Sequence, residues 1–279
     1  MTLFEAYKDA VKKLKNPDID EIAVRILLCH NNGIKSMSGF YIHKNENVRD
    51  FPLFSAQFQR FLDGEPVQYI LNETEFLGEE FYVDNRVLIP RQETEEVVTQ
   101  ALIRAIKVFG DHVINVADVC CGSGVMGIML AKRLKVRYLF MSDISGDAIE
   151  VAKKNAAKHD VIANYFVGNA CEQLVKAGAK VDLFVANPPY ILKKEDVDKS
   201  VLDNEPHIAL FADEELSVYR DIFKALPKIK NKTMLCVLEI GYDLKEKLTK
   251  LIMETMKNVS FAFAKDINGK ERILILELR

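Results

Sequence analysis

Val113-Ile114-Asn115-Val116-Ala117-Asp118-Val119 runs directly into Cys120-Cys121-Gly122-Ser123-Gly124, and this stretch decides the fold. The first seven residues have the apolar, β-branched make-up of a buried strand. The next five are small and suit a tight turn. Residues 125–135 then have helical composition, with apolar side chains at Val125, Met126, Ile128, Met129, Leu130 and Leu134. A strand, a small-residue turn and a helix together build a cradle in which backbone approaches a nucleotide-like ligand closely. A lone Gly-x-Gly is weak by itself, because glycines often serve only as turn residues. Asp143 strengthens the reading by closing the next strand, residues 136–142, about twenty residues beyond the loop, where a carboxylate can accept both ribose hydroxyls. The dinucleotide pattern fits poorly: position 120 is Cys, and no third glycine stands at the required place, although Gly127 is near. S-adenosylmethionine, which has a ribose and no pyrophosphate, fits better than a nicotinamide dinucleotide.

A second apolar run, Val181-Asp182-Leu183-Phe184-Val185-Ala186, also reads as a buried strand and ends at Asn187-Pro188-Pro189-Tyr190. Two consecutive prolines stop a strand abruptly, since neither donates to a sheet ladder and each fixes φ. Asn187 is thereby held at a strand's carboxyl end, where α/β sheets place their ligands. Its side-chain oxygen and a neighbouring backbone carbonyl offer two acceptors to one NH2 group, and Tyr190 offers a flat face to the planar group carrying it. This suits a site that orients an amide or exocyclic amine for attack. A proline-rich turn after a core strand is the plainer alternative for the tetrapeptide alone.

At 279 residues the chain has room for one large domain and a small one. A net charge of −3 gives no bulk electrostatic case for a nucleic-acid or membrane partner. No run approaches the roughly 18 apolar residues of a spanning helix, and the amino terminus lacks a signal-peptide pattern. Five cysteines, an odd number in an ordinary globular chain, argue for a reducing compartment, so a cytoplasmic enzyme is expected. Cys120 and Cys121 are adjacent, with no His at ligand spacing, so no metal is expected there.

Residues 3–14, 19–29 and 52–61 read as helices, with Asn31-Asn32-Gly33 and Asp63-Gly64-Glu65-Pro66 as breakers. Residues 67–90 alternate in a strand-like way around Leu77-Gly78-Glu79-Glu80, which suggests a hairpin. Residues 92–108 resemble a helix, with Glu93, Glu95 and Glu96 near its amino end, where the dipole favours carboxylates. Strands and helices then alternate to about residue 256. Phe261-Ala262-Phe263 and residues 273–278 finish the chain as two strands joined through Asn268-Gly269. The expected fold class is α/β, with a mixed, mostly parallel sheet, a carboxyl-terminal antiparallel hairpin and a small amino-terminal helical domain. The expected division is a helical domain over 1–62, a linker with a hairpin over 63–91, and the α/β domain over 92–279.

Almost the whole chain resembles the release-factor glutamine methyltransferases of the HemK/PrmC type, which are Rossmann-like class I methyltransferases. The resemblance rests on Gly64-Glu65-Pro66-Val67-Gln68-Tyr69-Ile70, Glu75-Phe76-Leu77-Gly78 and Val87-Leu88-Ile89-Pro90-Arg91-Gln92-Glu93-Thr94-Glu95. It continues through Asp118 to Gly124, Asp143-Ile144-Ser145, Asn187 to Tyr190, Asn204-Glu205-Pro206-His207-Ile208-Ala209-Leu210, Leu238-Glu239-Ile240-Gly241 and Lys265-Asp266-Ile267-Asn268-Gly269-Lys270-Glu271-Arg272. Asn-Pro-Pro-Tyr alone is shared with DNA and RNA amino methyltransferases; the linker and the Leu-Ile-Pro-Arg block, in this order, are far more specific.

The resemblance implies methylation of a glutamine side-chain amide nitrogen by S-adenosyl-L-methionine, with S-adenosyl-L-homocysteine as product. The implied substrate is the Gly-Gly-Gln loop of bacterial-type peptide chain release factors, with no stable nucleic-acid or membrane partner. It assigns Asn187, Pro188 and Tyr190 to the chemistry and Asn187, Pro188, Pro189 and Tyr190 to the substrate. Cys120, Cys121, Gly122, Ser123, Gly124, Asp143, Asn169, Ala170 and Asn187 are assigned to the cofactor, and the helical domain to substrate docking. The chain departs from the pattern at Gln92 (usually Pro), Cys120 (usually Gly), Asn169 (usually an acid meeting the adenine amine) and the run Phe211-Ala212-Asp213-Glu214-Glu215 (usually richer in glycine). Arg91 and Glu93 read as a salt-bridged helix start, and Glu205 and Pro206 as shaping a loop near the entrance. Two other readings remain open: a nucleic-acid exocyclic-amine (adenine) methyltransferase, which should carry a basic groove or recognition insertion, and a non-catalytic adaptor, which needs neither Asn187 nor Asp143.

Overall fold

The computed structural model describes residues 1–212 and 214–279; Asp213, in the run after Leu210, lies outside them. The chain divides into two compact units, residues 1–73 and 74–279.

Unit 1 is helical: α1 (Leu3–Val11), α2 (Pro17–Asn32), α3 (Met37–Ile42), α4 (Phe51–Leu62) and α5 (Val67–Leu71). Thr2 and Glu5 form a capping box that satisfies two free donors at the start of α1. Gly33, in the left-handed conformation, closes α2. The apolar stripes meet in one core that includes Leu3, Leu27, Leu28, Phe40, Phe54, Phe58 and Ile70. Helices α3 and α5 are not evident in the sequence pattern, and α5 corrects the strand-like reading at residues 67–71. Tyr69 and Ile70 are both buried, whereas a strand would send neighbours to opposite faces. Pro66 starts this helix and Asn72, at φ +55, ends it.

Unit 2 opens on a hairpin of β1 (Thr74–Phe76) and β2 (Glu79–Phe81). Leu77 and Gly78 both have positive φ, as a two-residue turn of the primed type requires. Phe76 and Phe81 are fully buried in the unit's core, worth about 1.5–3 kcal/mol each, which anchors so short a hairpin. Then follow α6 (Gln92–Phe109), β3 (Ile114–Val119), α7 (Val125–Arg133), β4 (Val136–Asp143), α8 (Gly146–Lys158), β5 (Asn164–Val167), α9 (Glu172–Lys176) and β6 (Val181–Ala186). The chain finishes with α10 (Lys199–Asn204), α11 (His207–Leu210), α12 (Ser217–Ile229), β7 (Lys230–Glu239), α13 (Lys245–Thr255), β8 (Val259–Lys265) and β9 (Glu271–Leu278).

Seven strands form one sheet in the order β5-β4-β3-β6-β7-β9-β8. The first five pair in parallel, and β9 runs antiparallel to both β7 and β8. The fold class is therefore the one expected. Helices α6, α7 and α8 pack on one face, over Val116, Leu183, Val185, Leu235 and Val237. Helices α9, α12 and α13 cover the other, over Val119, Phe184, Ala186, Cys236 and Leu238.

The chain leaves β3 toward β4 and β5, then crosses back to place β6 on the other side of β3. This switch point is where open α/β sheets bind ligands, at the strands' carboxyl ends. Register sets what meets there. Val119 pairs with Ser142 on one side and Ala186 on the other, and Ala186 pairs with Leu238. Cys120, Asp143, Asn187 and Glu239 are the next residues of four neighbouring strands, so they stand at one level of the sheet edge.

Candidate active site

A cavity of about 860 Å³ opens over this edge. Among its described lining residues are Cys120, Cys121, Gly122 and Ser123 from the turn, Asp143 from β4, Asn169 and Ala170 after β5, and Asn187 and Pro189 after β6. Gly124, Pro188 and Tyr190 are not among them. Pro188 is buried, and Tyr190 is half-buried against the core below β7 and β9.

The turn is shaped by close contacts that only small residues allow. Cys120 has φ +57, a left-handed conformation that costs a side-chain-bearing residue about 1–2 kcal/mol. The structure thus gives a physical reason for a glycine at this position, and this chain carries the strain instead. Gly124, at φ +82, takes a left-handed conformation that favours glycine, and a Cβ there would stand 3.2 Å from the Ala152 Cβ. Burial and the Asp143 charge push the Cys120 thiol well above its usual range, which makes it a filler in place of a nucleophile.

Asp143 ties the turn to the next strand: Oδ2 accepts from the Gly122 N–H and Oδ1 from the Ser145 N–H, both at 2.9 Å. Burial pushes its carboxyl up, while the N–H groups of Ser145 and Gly122 pull against that. Asp118, fully buried in β3, accepts the Gly127 N–H at 2.8 Å. A Cβ on Gly127 would lie 3.0 Å from that carboxyl, which is the use of the nearby glycine. The other Asp118 oxygen is buried without a hydrogen-bond partner. Burial, and then the Asp143 charge, push Asp118 up to about 7 against the pull of the Gly127 N–H.

Residues 82–91 form a wall of the cavity through Arg86, Val87, Leu88 and Pro90. Two buried side chains hold this wall. Asn155 on α8 accepts the Tyr82 N–H at 2.7 Å and donates to the carbonyls of Tyr82 and Ser123, which joins the wall to the turn. Glu205, 4% exposed between α10 and α11, accepts the Ile89 N–H at 3.1 Å and Arg91 Nη2 at 2.6 Å. Arg91 is therefore paired with Glu205 and not with a carboxylate of its own helix start, which corrects the expectation for that residue. The acids at the start of α6 have distant partners as well: Glu95 accepts the Leu77 N–H and Glu96 the Ile267 N–H.

Behind Asn187 lies a polar cluster. Its Nδ2 faces Thr94 Oγ1, and Thr94 donates to Glu239 at 2.6 Å. Arg272 donates toward the Tyr190 hydroxyl at 3.4 Å and is itself held by Asp266. At the rim, Asn169 Nδ2 donates to Asp221 Oδ2 on α12 at 3.3 Å. Sequence reasoning missed Thr94, Asn155, Glu239 and Asp221 as parts of the site. Glu239 left a signal: a lone acid closing an apolar strand at the ligand edge. Asn155 and Asp221 lie in ordinary helical sequence and left none.

Among the described residues, no His, Cys, Asp and Glu group could hold a metal ion, and no helix is long and apolar enough to cross a membrane. All five cysteines are free.

Residues 93–205 match the Methyltransferase small domain family and residues 5–71 the PrmC N-terminal domain family. The chain is 32% identical over 283 residues to the release factor glutamine methyltransferase of Bacillus cereus, covering 100% of both proteins. It is 34% identical to the enzyme of that name from Bacillus subtilis, over 98% of this chain and 96% of the relative. Among solved structures, the T. thermophilus 16S rRNA N2 G1207 methyltransferase, in complex with AdoMet and guanosine, aligns with a TM-score of 0.56 at 17% identity, over 74% of this chain and 50% of that one. The human Mettl16 catalytic domain aligns with a TM-score of 0.56 at 14% identity, over 85% and 84%. These two share the fold.

Proposed function

The chain belongs to the release factor glutamine methyltransferase family, and from that premise we propose that it transfers a methyl group from S-adenosyl-L-methionine to the glutamine side-chain nitrogen in the Gly-Gly-Gln loop of a peptide chain release factor. One arrangement carries the reading: Asp143 and Asn187, on the strands flanking β3, open into the same cavity.

The residues present fit the methyl donor. Gly122 has φ +52, and a Cβ placed there meets no atom within 4 Å, so backbone lies bare toward the cavity. Each Asp143 oxygen accepts one N–H and keeps a lone pair for a ribose hydroxyl. At the rim Asn169, assigned to the adenine amine by resemblance, donates through Nδ2 to Asp221, which turns the Asn169 Oδ1 to serve as the acceptor for that amine. The Asp221 carboxylate lines the same rim and adds an anionic acceptor beside Asn169. Ala170 and Val125 line the same cavity. When bound, the sulfonium supplies an activated methyl group, which leaves alignment and electrostatic complementarity to the chain.

An amide nitrogen is a poor nucleophile because its lone pair is delocalised into the carbonyl. Asn187 Oδ1 and the Pro188 carbonyl accept its two protons, fix its position and favour pyramidalisation as the methyl arrives. The resemblance assigns the Tyr190 ring to the amide plane; its hydroxyl accepts from Arg272 at 3.4 Å, and it stands behind the residues that line the cavity. The proton left on nitrogen passes to water after transfer, so no general base of tuned pKa is required. Unit 1 docks the protein substrate, since the chemistry itself needs only a small amide. A cytoplasmic setting suits such a substrate and five free thiols.

Transfer of labelled methyl to purified release factor, to its form with the loop glutamine replaced, and to tRNA and DNA in parallel tests this. Label confined to the intact factor is the expected result. Label on nucleic acid, with none on the factor, overturns it.

A further inference from the structure

The proposed chemistry needs the Asn187 amide turned one way, and nothing in its shape enforces that, because the oxygen and NH2 ends are nearly the same size. Polarity has to do it. Thr94, in the first turn of α6 and 4% exposed, lines the cavity beside Asn187. Its Oγ1–H donates to Glu239 Oε2 at 2.6 Å, and Asn187 Nδ2 donates to Thr94 Oγ1 at 3.5 Å. Glu239 is 2% exposed and sits one strand over from Asn187 at the same level. Among the described residues it does not line the cavity.

We propose that Glu239, acting through Thr94, holds the Asn187 amide with its nitrogen turned inward and its oxygen presented to the substrate, so that Glu239 and Thr94 are positioning residues for methyl transfer. The inference rests on the reading that Asn187 accepts a proton of the substrate amide.

Donor count sets the orientation of the amide. An ionised carboxylate only accepts, so it takes the single hydroxyl proton of Thr94. The Thr94 oxygen is then left with lone pairs alone and receives the Asn187 NH2. A protonated Glu239 reverses the chain. It donates to Thr94, whose own proton turns to the Asn187 oxygen, and the amide then offers NH2 to a substrate that is itself a donor. Donor meets donor, and the amide nitrogen is no longer held.

The surroundings place this switch in an accessible range. Burial pushes Glu239 up to about 7 against the Thr94 hydrogen bond. Arg272 on β9 and Arg91 before α6 favour the charged form, and Glu93 opposes it. Two phenols also face it: Tyr190, whose own pKa Glu239 helps to raise, and Tyr219 on α12, which donates to the Glu239 backbone carbonyl at 2.9 Å. An ionised Glu239 is the working form, so transfer rises with pH through the neutral range.

The test is single-turnover methyl transfer to intact release factor from pH 5.5 to 8.5 for the wild type and for Glu239→Gln, Thr94→Val, Thr94→Ser and Asn187→Ala, with S-adenosylhomocysteine affinity measured by calorimetry on each. Thr94→Val keeps the shape and loses the hydroxyl. It should slow transfer about tenfold at pH 8, the scale of one neutral hydrogen bond. Thr94→Ser should recover most of that loss, and product affinity should hold within about twofold throughout. Glu239→Gln should remove the neutral inflection. Asp118, the other acid pushed up to about 7, would leave the inflection in place in that variant, and this result overturns the proposal. So does a wild-type rate in Thr94→Val. If Asn187→Ala is slow while Thr94→Val is not, the relay fails and the role of Asn187 stands. If both run at the wild-type rate, the underlying reading fails as well.

Discussion

Arg91 and Glu205 stand 114 positions apart, yet the Arg91 guanidinium donates to the Glu205 carboxylate at 2.6 Å. The same carboxylate accepts the Ile89 N–H, so one buried acid fastens a cavity wall to the segment between α10 and α11. Arg91 keeps some access to water, and the Ile89 N–H does not. Loss of the acid therefore costs chiefly the orphaned donor and a charge-assisted bond. Glu205→Ala should lower unfolding stability in urea by about 1–3 kcal/mol. A change under about 0.5 kcal/mol would show that the pair is an ornament of the surface.

The rim assignment of Asp221 is separable from the rest of the cofactor reading. Wild type should bind S-adenosylhomocysteine more tightly than its inosine counterpart, which has a carbonyl in place of the adenine amine. Asp221→Ala should shrink that preference by about 0.5–1.5 kcal/mol. Asp143→Ala should weaken both ligands alike, by about 1.5–3 kcal/mol. Equal weakening of both ligands by Asp221→Ala would place that residue elsewhere.

Asp118 links stability to pH. Its folded pKa, about 7, lies above the ordinary carboxylate value, because burial disfavours the charge. Its favourable contribution is complete below the unfolded pKa and is lost as pH rises through about 7. Glu239 acts in the same direction. Stability in urea should thus fall from pH 5 to pH 8. Asp118→Asn should remove part of that slope, on the order of a few kcal/mol. A slope identical to wild type in the variant would assign the titration to other groups.

The docking role proposed for unit 1 is tested by its removal. Removal of residues 1–73 should damage turnover on intact release factor far more than it damages cofactor affinity, because remote contacts position the reacting loop. A folded truncation that methylates the intact factor as fast as the full chain would reduce unit 1 to a stabilising cap.

Much of this was legible before any coordinates. The strand-turn-helix unit and the double proline after β6 each marked a chain break at the sheet edge, because glycine and proline constrain backbone wherever they occur. The short helices α3 and α5 were not legible, although the three-residue strands of the hairpin were. Helix α5 has five residues, too few for helical periodicity to outweigh an alternating pattern, and its identity comes from burying Tyr69 beside Ile70. Partners were the least legible. Arg91 beside Glu93 looked like a local pair, and only tertiary packing brings Glu205 within reach. The same holds for Thr94 and Glu239, 145 positions apart. Packing of α6 on β7 made them neighbours, and no local pattern records packing.

The presentation of Asn187 to the substrate amide is tested most directly by single-turnover transfer to intact release factor in Asn187→Ala, beside calorimetric affinity for the methyl donor. The acceptor is needed most as the nitrogen is methylated, so the rate should fall by the equivalent of about 2.7–4 kcal/mol, a hundredfold to a thousandfold. Donor affinity should stay within about threefold, because the lost group faces the substrate. A wild-type rate in Asn187→Ala, with donor affinity intact, would contradict it and leave Asn187-Pro188-Pro189-Tyr190 as a turn.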